Sequence, residues 1–237
     1  MRKPAIAIVP ARGGSKRIPA KNRKAFVGKP LIQLCVERLS RSGLFETVIV
    51  STDDNDIANL AIEAGAEFLG PRPLSISDDF ATTASVVLFE LSRLKEILDL
   101  EPRAICTIYP TAILVDLKSI EDGFVLFESG KYDCVMSVVA YSAPTERAWR
   151  SLPGGYGKMI HPEFRLSRTQ DFEKTFYDAG QFYWSSERYW YSYADDMQLE
   201  SQRVGLLALK RWESVDIDTY EDWQFAEMLF RVRESTP

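Results

Sequence analysis

At 237 residues with 46% apolar side chains, the chain can bury one substantial core and has the composition of an ordinary globular protein. Its 34 acidic and 29 basic residues leave a formal charge of −5, without the global positive field that nucleic acid would require. No apolar run approaches the roughly 20 residues of a membrane span. Met1-Arg2-Lys3 leads into only a short apolar run with no cleavage-type end, so a cytoplasmic protein without a signal peptide is expected.

In chain order, residues 5–9 read as a strand. Residues 30–42 read as a helix with Pro in its first turn and Gly43 past its end. A strand at 47–51, a helix at 54–64 closed by Gly65, and a third strand at 66–69 follow. Residues 83–98 carry apolar spacing near 3.6, then come a strand at 104–109, a helix at 116–129 and a strand at 133–139. This alternation predicts an α/β fold: a mostly parallel sheet with helices on both faces, whose ligands bind beyond the carboxyl ends of the strands. Residues 141–176 break the rhythm with Pro, Gly, Arg and aromatics, as functional or interaction segments do. Regularity returns at 180–185 and 203–209 and ends in a helix over 219–232. Cys35, Cys106 and Cys134 are far apart in apolar stretches, so buried free thiols are expected, not disulfides or a zinc site.

The segment PARGGSKRIPAKN at 10–22 follows the first strand. Residues 12–29 hold seven basic side chains (Arg12, Lys16, Arg17, Lys21, Arg23, Lys24 and Lys29), and no acidic residue precedes Glu37. Gly13 and Gly14 let backbone N–H groups approach an anion, Lys16 and Lys21 neutralise phosphate charge, and the Arg12 fork spans two phosphate oxygens. A solvated basic loop is the plainer alternative, but the glycines and the position favour phosphate. The loop is neither a Walker A sequence nor a dinucleotide fingerprint. Near the far end, Val215-Asp216-Ile217-Asp218 sets two carboxylates at i and i+2 of a strand-like segment, on one face. Such a pair suits a hard cation shared with phosphate oxygens. The same stretch also resembles a helix start at Asp218-Thr219.

The 10–22 run resembles the signature of the CMP-sialate synthetase family of cytidylyltransferases. Further blocks match in order and spacing: VSTD at 50–53, RPLSISDD at 72–79, YPT at 109–111 and SVDIDT at 214–219. The resemblance implies a single Rossmann-like nucleotidyltransferase domain over residues 1–237, with 141–176 as a small protruding dimerisation element, hence a homodimer. It implies CTP and a sugar acid as substrates and Mg2+ or another divalent cation on Asp216 and Asp218. It also implies nucleotide contacts from Ala11, Arg12, Gly13, Gly14, Ser15, Lys21, Asn22, Arg72, Ser77 and Asp78. Arg12, Lys16, Lys21, Asp216 and Asp218 are the residues expected to carry the chemistry. Read without the family, Ser77-Asp78-Asp79 is a helix-capping turn before Thr82.

Two departures bear on the sugar. Sialate enzymes usually carry Gln-Pro-Thr-Ser-Pro where this chain has Tyr109-Pro-Thr-Ala-Ile113, and the string DAGQFY at 178–183 resembles the subgroup that activates pseudaminic acid. Sugar contacts are therefore expected from Tyr109, Thr111, Gln181 and Tyr183, with Phe182 and Trp184 in the core. One of Arg147, Arg150, Arg165 and Arg168 is expected to hold the sugar carboxylate, Arg168 among the sugar contacts. His161 has no visible acid or cysteine partner and is not expected to act in catalysis. The expected reaction transfers CMP from CTP to the anomeric hydroxyl of a nine-carbon acid by direct displacement, without a Ser or Cys nucleophile. Alternatives are the same reaction on N-acetylneuraminate, legionaminate or an eight-carbon acid, and a non-catalytic nucleotide-binding module on the same fold.

Overall fold

The computed structural model describes residues 4–194 and 202–235; Met1-Arg2-Lys3, read above for a leader, lies outside them. The central sheet has six strands in the order β10-β6-β9-β5-β1-β4. They are β1 (Ala5–Pro10), β4 (Thr47–Ser51), β5 (Ala104–Ile108), β6 (Cys134–Ala140), β9 (Phe176–Ser185) and β10 (Val204–Ala208). β1 pairs parallel with β4 and β5, and β10 parallel with β6, while β9 runs antiparallel between β5 and β6. Helices α1 (Leu31–Arg41), α2 (Asn55–Glu63), α3 (Thr83–Leu98), α4 (Leu117–Glu128), α5 (Glu187–Ala194) and α6 (Tyr220–Glu234) complete the frame.

Side-chain alternation sorts the strands onto two cores. Ala5, Ala7 and Val9 of β1 and Phe182 and Trp184 of β9 face α1, α2 and α4. Ile6, Ile8, Ile49, Ile105 and Cys134 face α3 and α5. These strands are buried on both faces, which explains their near-continuous apolar runs. Trp184 anchors the first core: its Nε1 donates to the Ile120 carbonyl at 2.9 Å, and its ring packs on Phe45 and Phe124. The helix can approach because residue 123 is glycine; a Cβ there would lie 3.0 Å from both Phe182 and Trp184. A third cluster joins α6 to the basic loop: Ile18, Phe26 and Leu31 pack with Val215, Ile217 and Trp223. It is this small core that brings the two ends of the chain together.

Three expectations need correction. Residues 66–69 form no strand; Glu67 makes only an isolated bridge to Ile49, and Gly65 and Gly70, both at positive φ, end it on either side. The strand expected at 180–185 begins at Phe176, because Gly180 at φ +60° and a register shift between Met136 and Val138 carry pairing through the kink. The 141–176 segment is not wholly irregular: β7 (Trp149–Ser151) and β8 (Gly157–Met159) form a hairpin apart from the main sheet. A two-residue ribbon, β2 (Ala25–Phe26) with β3 (Lys29–Pro30), and α5 were not foreseen. All three cysteines are buried and free. Among the described residues no helix is long and apolar enough to cross a membrane.

Candidate active site

Strand order reverses at β1, whose partners β4 and β5 lie on opposite sides, and ligands of such sheets bind at that point beyond the carboxyl ends. A cleft of about 300 Å³ opens there. The basic loop leaves the end of β1, Tyr109-Pro110-Thr111 leaves the end of β5, and both line the cleft with Arg72, Asp78, Thr83 and Asp218.

On one wall, Arg12, Ser15, Lys16, Arg17, Lys21 and Asn22 line the cleft. Lys21 Nζ donates to the Ile217 carbonyl at 2.7 Å and lies 3.5 Å from Asp218 Oδ1, while Arg17 pairs with Asp218 Oδ2 at 2.6 Å. The buried Asn22 donates to the Arg12 carbonyl at 3.0 Å, which fixes the loop's base. Ala11, Gly13 and Gly14 are not on the lining. Ala11 is core, and the Gly13 N–H donates to Asp53 Oδ1 at 2.9 Å, so it serves a protein carboxylate and not an open anion position. Glycine is needed at 13 for another reason: a Cβ would lie 2.8 Å from Asp54 Oδ2.

Residues 216 and 218 lie in an extended segment outside the sheet, with Val215 and Ile217 buried and the two carboxylates on the opposite face. Helix capping does not use them: Thr219 and Asp222 form the capping box of α6. Partial desolvation, then the charge of Asp218, pushes the Asp216 carboxyl above its ordinary value. A cation would relieve that repulsion. Among the described residues no cluster of three or more His, Cys, Asp or Glu offers an all-protein metal cage. A cation here would rest on two carboxylates, waters and substrate oxygens, the set magnesium favours. The donor set fits the ion.

Arg72 is 5% exposed. Its Nε donates to Ser77 Oγ at 3.2 Å, and its Nη2 lies 4.0 Å from Asp53 Oδ1. Ser77 thus stands behind Arg72 and off the cleft lining. The cap before α3 is Thr82, which accepts from Ser85 N; Asp78 instead accepts from Phe80 N, so the capping turn read at 77–79 is corrected. Beneath Arg72, Glu90 is buried with Oε1 accepting from Ser51 Oγ at 2.6 Å, and burial raises its carboxyl above the usual range.

The other wall is neutral. Tyr109 Oη and Thr83 Oγ1 are 2.6 Å apart, and the Tyr109 ring meets Tyr183 edge-on at 6.3 Å. Tyr183 donates to Asp178 Oδ2 at 2.7 Å; burial, then this carboxylate, raises its phenol far above ordinary, as burial also raises Tyr109. Tyr183 lies on the sheet face opposite Phe182 and Trp184, which are fully buried. Gln181, 1% exposed, donates to the Ala179 carbonyl while its Oε1 has no partner among the described residues. Neither Gln181 nor Tyr183 reaches the lining itself. Arg168 is not brought to the cleft: it pairs with Asp171 in its own exposed turn, because residues 141–175 lie outside the main sheet. His161 sits in the same segment, and Glu163 at 3.3 Å is an acidic neighbour that the sequence did not reveal, but the pair is exposed and off the cleft lining. The sequence did not single out Arg17, Asp79, Thr83 and Asp178 for the site, because their positions depend on contacts spanning 26 to 201 residues or on the β9 kink; the basic cluster around Arg17 and the charge of the 77–79 turn were the local signals.

A doubly wound α/β sheet with a cationic loop and Asp218 at its switch point suits nucleotidyl transfer. Residues 6–147 match the family described as Cytidylyltransferase, and the chain belongs to it. It is 31% identical over 231 residues to the pseudaminic acid cytidylyltransferase of Campylobacter jejuni, covering 98% of each chain. It is 28% identical to the CMP-N,N'-diacetyllegionaminic acid synthase of Legionella pneumophila over 97% of each. Among solved structures, CMP:2-keto-3-deoxy-manno-octonic acid synthetase complexed with CTP superposes with a TM-score of 0.68 at 16% identity, over 97% of this chain and 99% of that one, a likeness of fold.

Proposed function

We propose that this chain transfers CMP from CTP to the anomeric hydroxyl of pseudaminic acid and releases pyrophosphate. The observation that carries the reading is the meeting of the basic loop with Asp218 across one cleft, where Lys21 lies 3.5 Å from its carboxylate; Asp216 stands two residues away, off the lining. In the reaction, the sugar's 2-hydroxyl oxygen bonds to the α-phosphorus, the bond to the bridging oxygen of pyrophosphate breaks, and the hydroxyl proton passes to solvent. Arg12, Lys16 and Lys21 hold the triphosphate and stabilise the leaving pyrophosphate; positioning and charge neutralisation are what such a transfer needs most. Asp216 and Asp218 would hold Mg2+, which when bound screens phosphate repulsion and lowers the pKa of an attacking hydroxyl. Arg72, held by Ser77, addresses the base. No thiol is poised to attack: burial pushes Cys35 up to about 12.

Tyr109 and Thr111 form the sugar side, with Tyr183 packed edge-on behind Tyr109 to set its position. A neutral aromatic wall suits a deoxy, acetamido-substituted acid with a methyl end. Residues 141–176, with Trp149, Tyr156 and Leu166 exposed, are the proposed contact of a homodimer, and light scattering that gave one chain's mass would remove that proposal. We assign the protein to the cytoplasm, where CTP is available and buried thiols stay reduced. A pyrophosphate-release assay with pseudaminic, legionaminic, N-acetylneuraminic and eight-carbon acids tests the substrate. Pseudaminic acid is expected to give the highest kcat/KM. CTP binding without turnover of any acid would overturn the catalytic reading.

A further inference from the structure

Two of the cations assigned to the triphosphate are already held by one protein carboxylate. Asp79 Oδ1 accepts from Arg12 Nη1 at 2.6 Å, and Oδ2 accepts from Lys16. Two oxygens on one centre, bridging a guanidinium and an ammonium, reproduce the hydrogen-bonding demand of a phosphate group. Lys16, then Arg12, holds the Asp79 carboxyl below the usual carboxylate range, so it is ionised at neutral pH.

The segment that carries Asp79 is built to give way. Ser77 fixes one end through Arg72 Nε and the Pro73 carbonyl, and Thr82 fixes the other as the cap of α3. Between them lies the Asp78–Phe80 turn, with Phe80 90% exposed. The carboxylate can therefore withdraw without disturbing either core.

Resting on the nucleotide reading above, we propose that Asp79 is an internal stand-in for the substrate's phosphate and sets which ligands the cleft favours. A ligand whose phosphate chain takes Arg12 and Lys16 must first displace Asp79. A ligand that stops at base and ribose pays nothing to it. The pair is solvent-screened, so the expected effect is modest, about 3- to 10-fold in affinity for removing its charge.

The test is calorimetric titration of the full chain with CTP, inorganic pyrophosphate and cytidine, each with Mg2+ and without sugar acid. Asp79→Asn is expected to bind CTP and pyrophosphate about 3- to 10-fold more tightly, with cytidine unchanged, while Asp79→Glu stays within about twofold of the wild type. Unchanged or weaker binding of both phosphates by Asp79→Asn overturns the proposal; weaker binding would make Asp79 a positioning residue for Arg12. An equal gain for cytidine also overturns it. A wild-type chain that binds neither CTP nor pyrophosphate sinks the nucleotide reading, a failure distinct from a variant that merely fails to gain.

Discussion

The two walls of the cleft are built by different physics. The wall formed by the 10–22 loop, the 72–79 turn and the 216–218 segment is dense in charge, and its cations are matched by protein carboxylates on side chains that line the cleft. The wall at the ends of β5 and β9 presents a neutral lining of Thr83, Tyr109 and Thr111, fixed by the Tyr109–Thr83 hydrogen bond and by packing on Tyr183, which Asp178 holds from behind. Charge on solvated side chains can be exchanged for a ligand's charge at little structural cost, whereas ring packing holds a shape. The first wall therefore suits the part of the reaction common to every acceptor, and the second suits choice among acceptors.

That contrast can be broken by mutation. The largest effect is expected from Asp218→Ala and Asp216→Ala: turnover should fall by about 100-fold or more for every sugar acid, with thermal unfolding nearly unchanged. Excess chelator should do the same to the wild type, and added Mg2+ should restore it. Retained activity in both variants would remove the metal assignment. Trp184→Ala tests the boundary behind the aromatic wall. It should cost about 3–5 kcal/mol of stability in denaturant unfolding, because the indole is fully buried and hydrogen-bonded. An undiminished stability with an altered sugar KM would move Trp184 from the core to the site. Lys21→Ala should raise the KM for CTP about 10-fold while the sugar KM holds. The smallest change is expected from Tyr183→Phe, a rise of about 2- to 5-fold in the KM of the sugar acid with CTP unaffected. An equal rise in both would dissolve the distinction between the walls.

The sequence alone determined most of the secondary structure and the chemical character of the site. Local periodicity located β1, β4, β5, β6 and the four long helices α1, α3, α4 and α6 to within a residue or two, because burial of one face is written into neighbouring residues. The basic loop and the Asp216–Asp218 pair were legible because charge clusters and i, i+2 spacing are local. The helix at α5 was not singled out, although Tyr189, Trp190 and Tyr193 fall on one helical face; at eight residues the run is short, and packing against α3 holds it. Only the tertiary structure decided that β9 enters antiparallel between β5 and β6, that Gln181 faces inward, and that Arg168 stays in its own turn. It also decided that Lys21 meets Ile217 and Asp218 across nearly the whole chain, and that Asp79 occupies Arg12 and Lys16. Those contacts arise from burying distant apolar segments together, Ile18 with Val215 and Ile217 above all, and no local window of sequence contains both partners.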